Sequence, residues 1–217
     1  VTAPLAGFDV VSPFRAAVQY VSPRERRLTR KETRIRDVAY SLKGGCPKPE
    51  GGHVYRPGAM EAAATAMAPL VPLGPSRRVV LVPIPGATGC TRGNRELAQA
   101  IALLLCAKPH VKVRVADLLT RSSPVESLHS RRHRGLAAPR GIRAHRMIMR
   151  PGVDVPDPTE YGPLVLIDNV VTTGSTFAAA RDVLGGGIGL AYAQASEVLS
   201  PDGKGPARPS LERGRAP

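Results

Sequence analysis

Two short apolar runs stand out from a polar chain punctuated by Pro and Gly: Val79-Val80-Leu81-Val82 and Leu164-Val165-Leu166-Ile167. Each is bounded by turn formers and is too short for a buried helix, so each predicts a buried strand. The first strand takes in Arg78–Pro83, and the second follows Gly162-Pro163 and covers 164–167. Val111–Val115 alternates apolar and basic residues and predicts a third strand, and Ile188–Ala195 predicts a last one. Between them the spacing turns helical. Residues 58–69 form an Ala-rich stretch stopped near Pro69, Asn94–Ala107 sets Leu97, Ile101, Leu104 and Leu105 along one side, and 174–184 is rich in helix formers. Upstream, Arg24-Glu25-Arg26-Arg27 and the residues after it predict a solvated helix that starts beyond Ser22-Pro23 and ends over Tyr40–Gly45. A Pro/Gly loop then runs to Pro57.

Strands alternating with helices imply βαβ units, hence an α/β protein with an open, mainly parallel twisted sheet flanked by helices. The pattern divides the chain into an N-terminal, hood-like extension (1–57), a core (58–199) and a tail (200–217). Pro, Gly, Arg and Ser dominate the tail, which is expected to be disordered. Ligands of such sheets bind beyond the carboxyl ends of the strands, and that is where the chemistry-bearing residues cluster.

The strand 164–167 runs into Asp168-Asn169, then Val170-Val171, then the small-residue turn Thr172-Thr173-Gly174-Ser175-Thr176, then a helix. A strand, a Gly-containing turn and a helix N-terminus bring backbone N–H groups together, and the helix dipole and hydroxyl donors add to their attraction for an anion. The Asp168 carboxylate beside that anion suits the hydroxyls of a ribose. A phosphorylated sugar is the ligand this stretch predicts. The strand 78–83 leads likewise into Ile84-Pro85-Gly86-Ala87-Thr88-Gly89-Cys90-Thr91-Arg92-Gly93. Gly86, Ala87, Thr88 and Gly89 are candidates to bind pyrophosphate through their backbone, with Arg92 as the charge partner. Residues 120–150 form a long basic insertion, with seven arginines and no acid from Arg131 to Arg150. Arg131, Arg132 and Arg134 are candidates for a mobile cationic lid that stabilises leaving-group charge and keeps out water. A nucleic-acid strip or a solvated charge run are the other readings of this segment, and it lacks the interleaved aromatics of a base-stacking platform.

Composition changes this picture in three ways. The 31 Lys and Arg against 17 Asp and Glu give a net charge of +14, which favours polyanionic ligands, whether pyrophosphate compounds or nucleic acid. With Trp absent and aromatics at 4%, the core must rest on aliphatic side chains. No apolar run approaches the roughly 18 residues of a membrane span, and no segment reads as a secretion signal, so a soluble, cytoplasmic protein is expected. The three cysteines, Cys46, Cys90 and Cys106, lack C-x-x-C spacing and support neither a disulfide framework nor a zinc site. Cys106 is expected to be a small buried hydrophobe, while Cys90 borders the candidate site without an identifiable base partner.

Four apolar residues, an acidic pair position, two apolar residues and Thr-Thr-Gly-x-Thr together resemble the phosphoribosyl pyrophosphate (PRPP) signature of type I phosphoribosyltransferases. The order of Leu42-Lys43-Gly44, Val82-Pro83-Ile84-Pro85, Arg92-Gly93-Asn94, Leu128–Arg134 and the PRPP motif is similar to that of the ComF-like branch, whose members are associated with competence and DNA uptake in bacteria. The resemblance covers about residues 38–196. It implies the type I phosphoribosyltransferase fold, PRPP and Mg²⁺ as ligands, and displacement of pyrophosphate by a nitrogenous base or amine. Asp168 and Asn169 would hold the ribose hydroxyls and Thr172–Thr176 the 5′-phosphate, with Mg²⁺ held mainly by substrate oxygens and no dedicated protein metal ligands. It also admits a non-catalytic accessory protein that binds PRPP or single-stranded DNA, and a homodimer. Three departures from the family pattern stand out: Asn169 replaces the second acid of the pair, the four-cysteine zinc module often found in the ComF-like branch is missing, and the 83–93 loop carries Gly86, Thr88 and Gly89 where that branch is usually more basic.

Overall fold

The two apolar runs lie side by side at the centre of a five-stranded sheet in the computed structural model, which describes residues 14–20, 28–43, 58–122, 146–172 and 174–195. Along the chain come β1 (Phe14–Tyr20), α1 (Arg30–Lys43), α2 (Ala59–Met67), β2 (Arg78–Pro83), α3 (Arg92–Cys106) and β3 (Lys112–Val115). There follow β4 (Leu119–Arg121), β5 (Met147–Met149), the short helix α4 (Pro158–Tyr161), β6 (Leu164–Val171), α5 (Ser175–Leu184) and β7 (Ile188–Ala195). The main sheet has the order β1-β7-β6-β2-β3, with every pairing parallel. The open, parallel α/β architecture expected from the alternation of strand and helix patterns is what the chain adopts. No helix among the described residues is long and apolar enough to cross a membrane.

Each face of the sheet carries its own core. On one face Val79, Leu81, Val165 and Ile167 pack against α1, α2 and α3 through Leu42, Ala63, Met67, Leu97 and Ile101. On the other, Val80, Val82, Leu164 and Leu166 pack against Phe177, Ala180 and Leu184 of α5 and against Leu118, Leu119 and Met147. Strand residues alternate between faces, so a continuous apolar run is what a strand buried on both sides requires.

Several elements differ from expectation. Helix α1 begins at Arg30 rather than after Ser22-Pro23, because Thr29 and Glu32 close a capping box. The Thr29 N–H donates to Glu32 Oε2 at 2.8 Å, and the Glu32 N–H donates to Thr29 Oγ1 at 3.3 Å. Strand β1 carries no strong apolar signal, yet it pairs with β7 at the sheet edge, where one partner suffices. Residues 14–20 and 30–43, read from sequence as parts of an extension, thus supply a strand of the main sheet and a helix of its core. The stripe of α3 that is buried runs through Leu97, Ala98, Ile101 and Leu105. Leu104 and Cys106, one residue either side of Leu105, are turned about 100° off that stripe. Leu104 is 40% exposed and Cys106 is exposed, so the expected burial of both is corrected. Strand β6 continues past Ile167 to Val171, because pairing with β7 persists through Asp168 opposite Ala191 and Val171 opposite Gln194. The basic insertion is bracketed by an antiparallel ribbon in which β4 pairs with β5, while residues 123–145 lie outside those described.

One close approach fixes how α1 meets α3. A Cβ added at Gly93 would lie 2.5 Å from the Leu42 carbonyl oxygen, a backbone atom that no rotamer change can move. Gly93→Ala is therefore expected to lower stability by about 1–3 kcal/mol, in the range of other overpacking substitutions. Chemical denaturation measures this, and an unchanged midpoint would show that the α1–α3 contact yields freely.

Candidate functional site

The direction of the connections creates the site. Neighbouring strands β2 and β6 pair so that Pro83 lies opposite Ile167, and the Ile84 N–H continues the ladder to the Ile167 carbonyl at 3.0 Å. Beyond that point they part company. β2 leads through α3, packed on one face, toward β3; β6 leads through α5, packed on the other face, toward β7. Adjacent strands whose crossovers diverge leave a crevice at their carboxyl ends, the usual ligand position in open parallel sheets.

Asp168 and Asn169 stand on the β6 side of this crevice, half-buried. Asp168 Oδ1 accepts from the Asn169 N–H at 2.8 Å and from Asn94 Nδ2 at 3.1 Å. The same Asn94 amide donates to the Ile84 carbonyl at 2.8 Å and so ties β2, α3 and β6 together at one point. The Asn169 side chain turns to its own strand, its Oδ1 accepting from the Val170 N–H at 2.8 Å. Past Val171 the chain turns through exposed Thr172 to Gly174, whose φ of 75° is a left-handed conformation that glycine adopts without strain. Ser175 and Thr176 then open α5, a ten-residue helix whose first N–H groups and dipole face the turn. Thr173 lies outside the described residues.

The β2–α3 loop forms the opposite wall. It folds on itself: the Gly86 N–H donates to the Cys90 carbonyl and the Gly89 N–H to the Gly86 carbonyl, both at 2.9 Å. Both glycine amides, candidates for pyrophosphate, are spent inside this turn, while Ala87 and Thr88 form its tip. Arg92 goes elsewhere. It lies two residues from Asn94 on α3, a rotation of about 200°, so the two side chains leave the helix on nearly opposite sides. Its Nε bonds Glu96 Oε1 at 2.9 Å, and it lines an outer concavity of about 470 Å³ with Gly89, Cys90, Thr91, Arg95, Glu96 and Gln99.

Among the described residues, Arg121 at the end of β4 lies close enough to Asp168 to feel its charge. Its Nε donates to the Gly86 carbonyl at 2.7 Å and its Nη2 to the Pro85 carbonyl at 3.3 Å. Burial lowers the pKa of its guanidinium, and the nearby negative charge of Asp168 offsets part of that shift. The ribbon is anchored to the same wall by Asp117. Its Oδ2 accepts from Arg150 Nη2 at 2.9 Å and from Thr91 Oγ1 at 3.2 Å, while Arg150 Nε donates to the Asp117 carbonyl at 3.0 Å. Arg131, Arg132 and Arg134 lie outside the described residues.

Sequence reasoning did not select Asn94 or Arg121. Asn94 had a signal: it falls on the buried stripe of α3, three residues before Leu97, where a polar side chain needs a partner. Arg121 had none, since its approach to Gly86 depends on how β4 crosses the end of β2. Taken together, the fold and this crevice define an α/β protein with a glycine-containing turn, a helix N-terminus and a carboxylate at the carboxyl edge of a parallel sheet. Compared with known proteins, the chain matches no family model and no curated sequence.

Proposed function

We propose that the chain binds PRPP together with Mg²⁺ and transfers its phosphoribosyl group to a nitrogenous base or amine, releasing pyrophosphate. One observation carries this reading. The Asp168 carboxylate, the hydroxyl-rich turn at the N-terminus of α5 and the carbonyl-held Arg121 converge on the crevice where β2 and β6 diverge. A sugar ring flanked by a phosphate on one side and a pyrophosphate on the other matches that order of groups.

In this reading Asp168 accepts hydrogen bonds from the ribose hydroxyls, and the amides and hydroxyls of Thr172–Thr176 take the 5′-phosphate. Arg121 and the 86–89 loop receive the pyrophosphate once the turn's own amide bonds open. The bond from ribose C1 to the pyrophosphate oxygen breaks with its electron pair leaving on pyrophosphate, the nucleophile's nitrogen bonds to C1, and its proton passes to solvent. Arg131, Arg132 and Arg134 would close over the departing charge and exclude water from the cationic ribosyl centre. Among the described residues no group of three or more acids, His or Cys gathers to cage a metal. The donor set still fits Mg²⁺, which binds through one or two carboxylates plus substrate phosphates. Asp168 is the carboxylate for that role, and the ion would neutralise pyrophosphate charge. The same reading sets the protein in the cytoplasm and is compatible with a homodimer.

A second reading, a PRPP-binding or single-stranded-DNA-associated accessory protein of the ComF type without turnover, is favoured by the neutral Asn169. The two differ in one assay. Incubation of the protein with PRPP, Mg²⁺ and a panel of bases and amines, read by pyrophosphate release, is expected to find an accepted nucleophile. PRPP binding without release for any of them would support the accessory reading instead.

A further inference from the structure

At the amino end of the sheet, away from the crevice, a concavity of about 300 Å³ is lined by Arg78, Val79, Lys112, Val113, Arg114 and Tyr161. It arises because β3 is an edge strand and its face on the Val80 side leaves Lys112 and Arg114 exposed. Register places Arg78 opposite Lys112 and Val80 opposite Arg114, and partners in a parallel pair share a face. Three cations therefore leave one face, about 5 Å apart between strands and about 7 Å apart along β3.

Two of the three are held in place, and by neutral groups. Arg78 Nη1 donates to the Glu160 carbonyl at 2.7 Å, and the Arg114 guanidinium carbon lies 5.1 Å from the centroid of the Tyr161 ring. Among the described residues none of the three has a carboxylate oxygen within 4.0 Å. Guanidinium groups partly fixed by neutral partners are suited to phosphate oxygens, which they bind through paired hydrogen bonds. The concave shape and the small number of cations fit a compact, multiply charged anion better than an extended strand of nucleic acid.

We propose that Arg78, Lys112 and Arg114, arrayed beside Tyr161, form a second anion site that takes a triphosphate group, either free or carried on a nucleotide. The site is independent of the crevice, from which the length of β2 separates it. Binding there makes the protein responsive to a phosphate compound other than its strand-end ligand.

Calorimetric titration with inorganic triphosphate, and separately with adenosine triphosphate, near 0.1 M salt tests this. The Lys112→Gln/Arg114→Gln double variant is expected to bind triphosphate at least about ten-fold more weakly than wild type, given the loss of two charge-assisted contacts. An Arg30→Gln/Lys31→Gln variant, which loses the same charge from α1, should bind as wild type does. Equal affinity for inorganic triphosphate and the nucleotide would assign recognition to the phosphates alone, and tighter nucleotide binding would add a contact to its base. PRPP binding should be unchanged in the Lys112→Gln/Arg114→Gln variant, so failure of this site and failure of the crevice are read separately. Triphosphate binding unaffected by the double substitution overturns the proposal. So does absence of triphosphate binding, including the case in which only a long oligonucleotide binds.

Discussion

Truncating Phe177 to alanine is expected to destabilise the protein by about 3–5 kcal/mol, the range for removing a buried aromatic side chain. The ring is 1% exposed and packs at 6.0 Å, centroid to centroid, on Phe14 of β1. Ring carbons press so closely on Gly189 of β7 that a Cβ there would sit 2.8 Å from them. Phe177 thus pins the first turn of α5 to two strands, and aliphatic neighbours cannot refill the space without moving one of them. The same residue follows Gly174-Ser175-Thr176, so a loosened first turn also blurs the array of amides that would meet a phosphate. Chemical denaturation should show the loss, and anion affinity at the turn should fall with it. A cost below about 1 kcal/mol would mean that the α5–β1–β7 junction collapses around the missing ring and is not the rigid support described.

Asp168→Ala is expected to reduce PRPP affinity by about 100-fold or more, on the basis of two hydrogen bonds to a charged acceptor at about 1.5–3 kcal/mol each. The fold should tolerate this change. Asn94 loses one partner but keeps its 2.8 Å bond to the Ile84 carbonyl, the Asn169 N–H is only part-buried, and Arg121, which loses the nearby negative charge, keeps its bonds to the Pro85 and Gly86 carbonyls. A companion substitution, Asn169→Asp, separates binding from turnover. The aspartate can still accept from the Val170 N–H, as the asparagine does at 2.8 Å, and it restores the second carboxylate. Faster pyrophosphate release from Asn169→Asp, with stability unchanged, is the outcome expected if the neutral residue limits the reaction. Identical rates would show that the second charge is dispensable.

Much of this architecture is legible in the chain because its strongest local signals agree with its tertiary ones. The runs 79–82 and 164–167 are apolar on both faces because the strands are buried on both faces. The Gly174 turn is legible for the same reason: strand, turn and helix are contiguous, so the geometry is written in one stretch of sequence. What escaped depends on contacts across the chain. β1 is recognisable only once β7 offers an edge to pair with, since Phe14–Tyr20 includes Arg15 and Gln19 and little apolar periodicity. Arg121 gains its place by reaching the Pro85 and Gly86 carbonyls, 35 or so residues away. Arg92 adjoins the glycine loop in sequence, but helical geometry places its guanidinium beside Glu96, while Asn94 meets Asp168.

The most direct test of the central reading is a calorimetric titration of PRPP with Mg²⁺ into the wild-type chain and into the Asp168→Ala variant. Saturable binding of one PRPP per chain, lost or weakened about 100-fold in the variant, is the predicted result. No binding to the wild type, or equal affinity in the variant, would contradict the assignment of the β2–β6 crevice as a PRPP site.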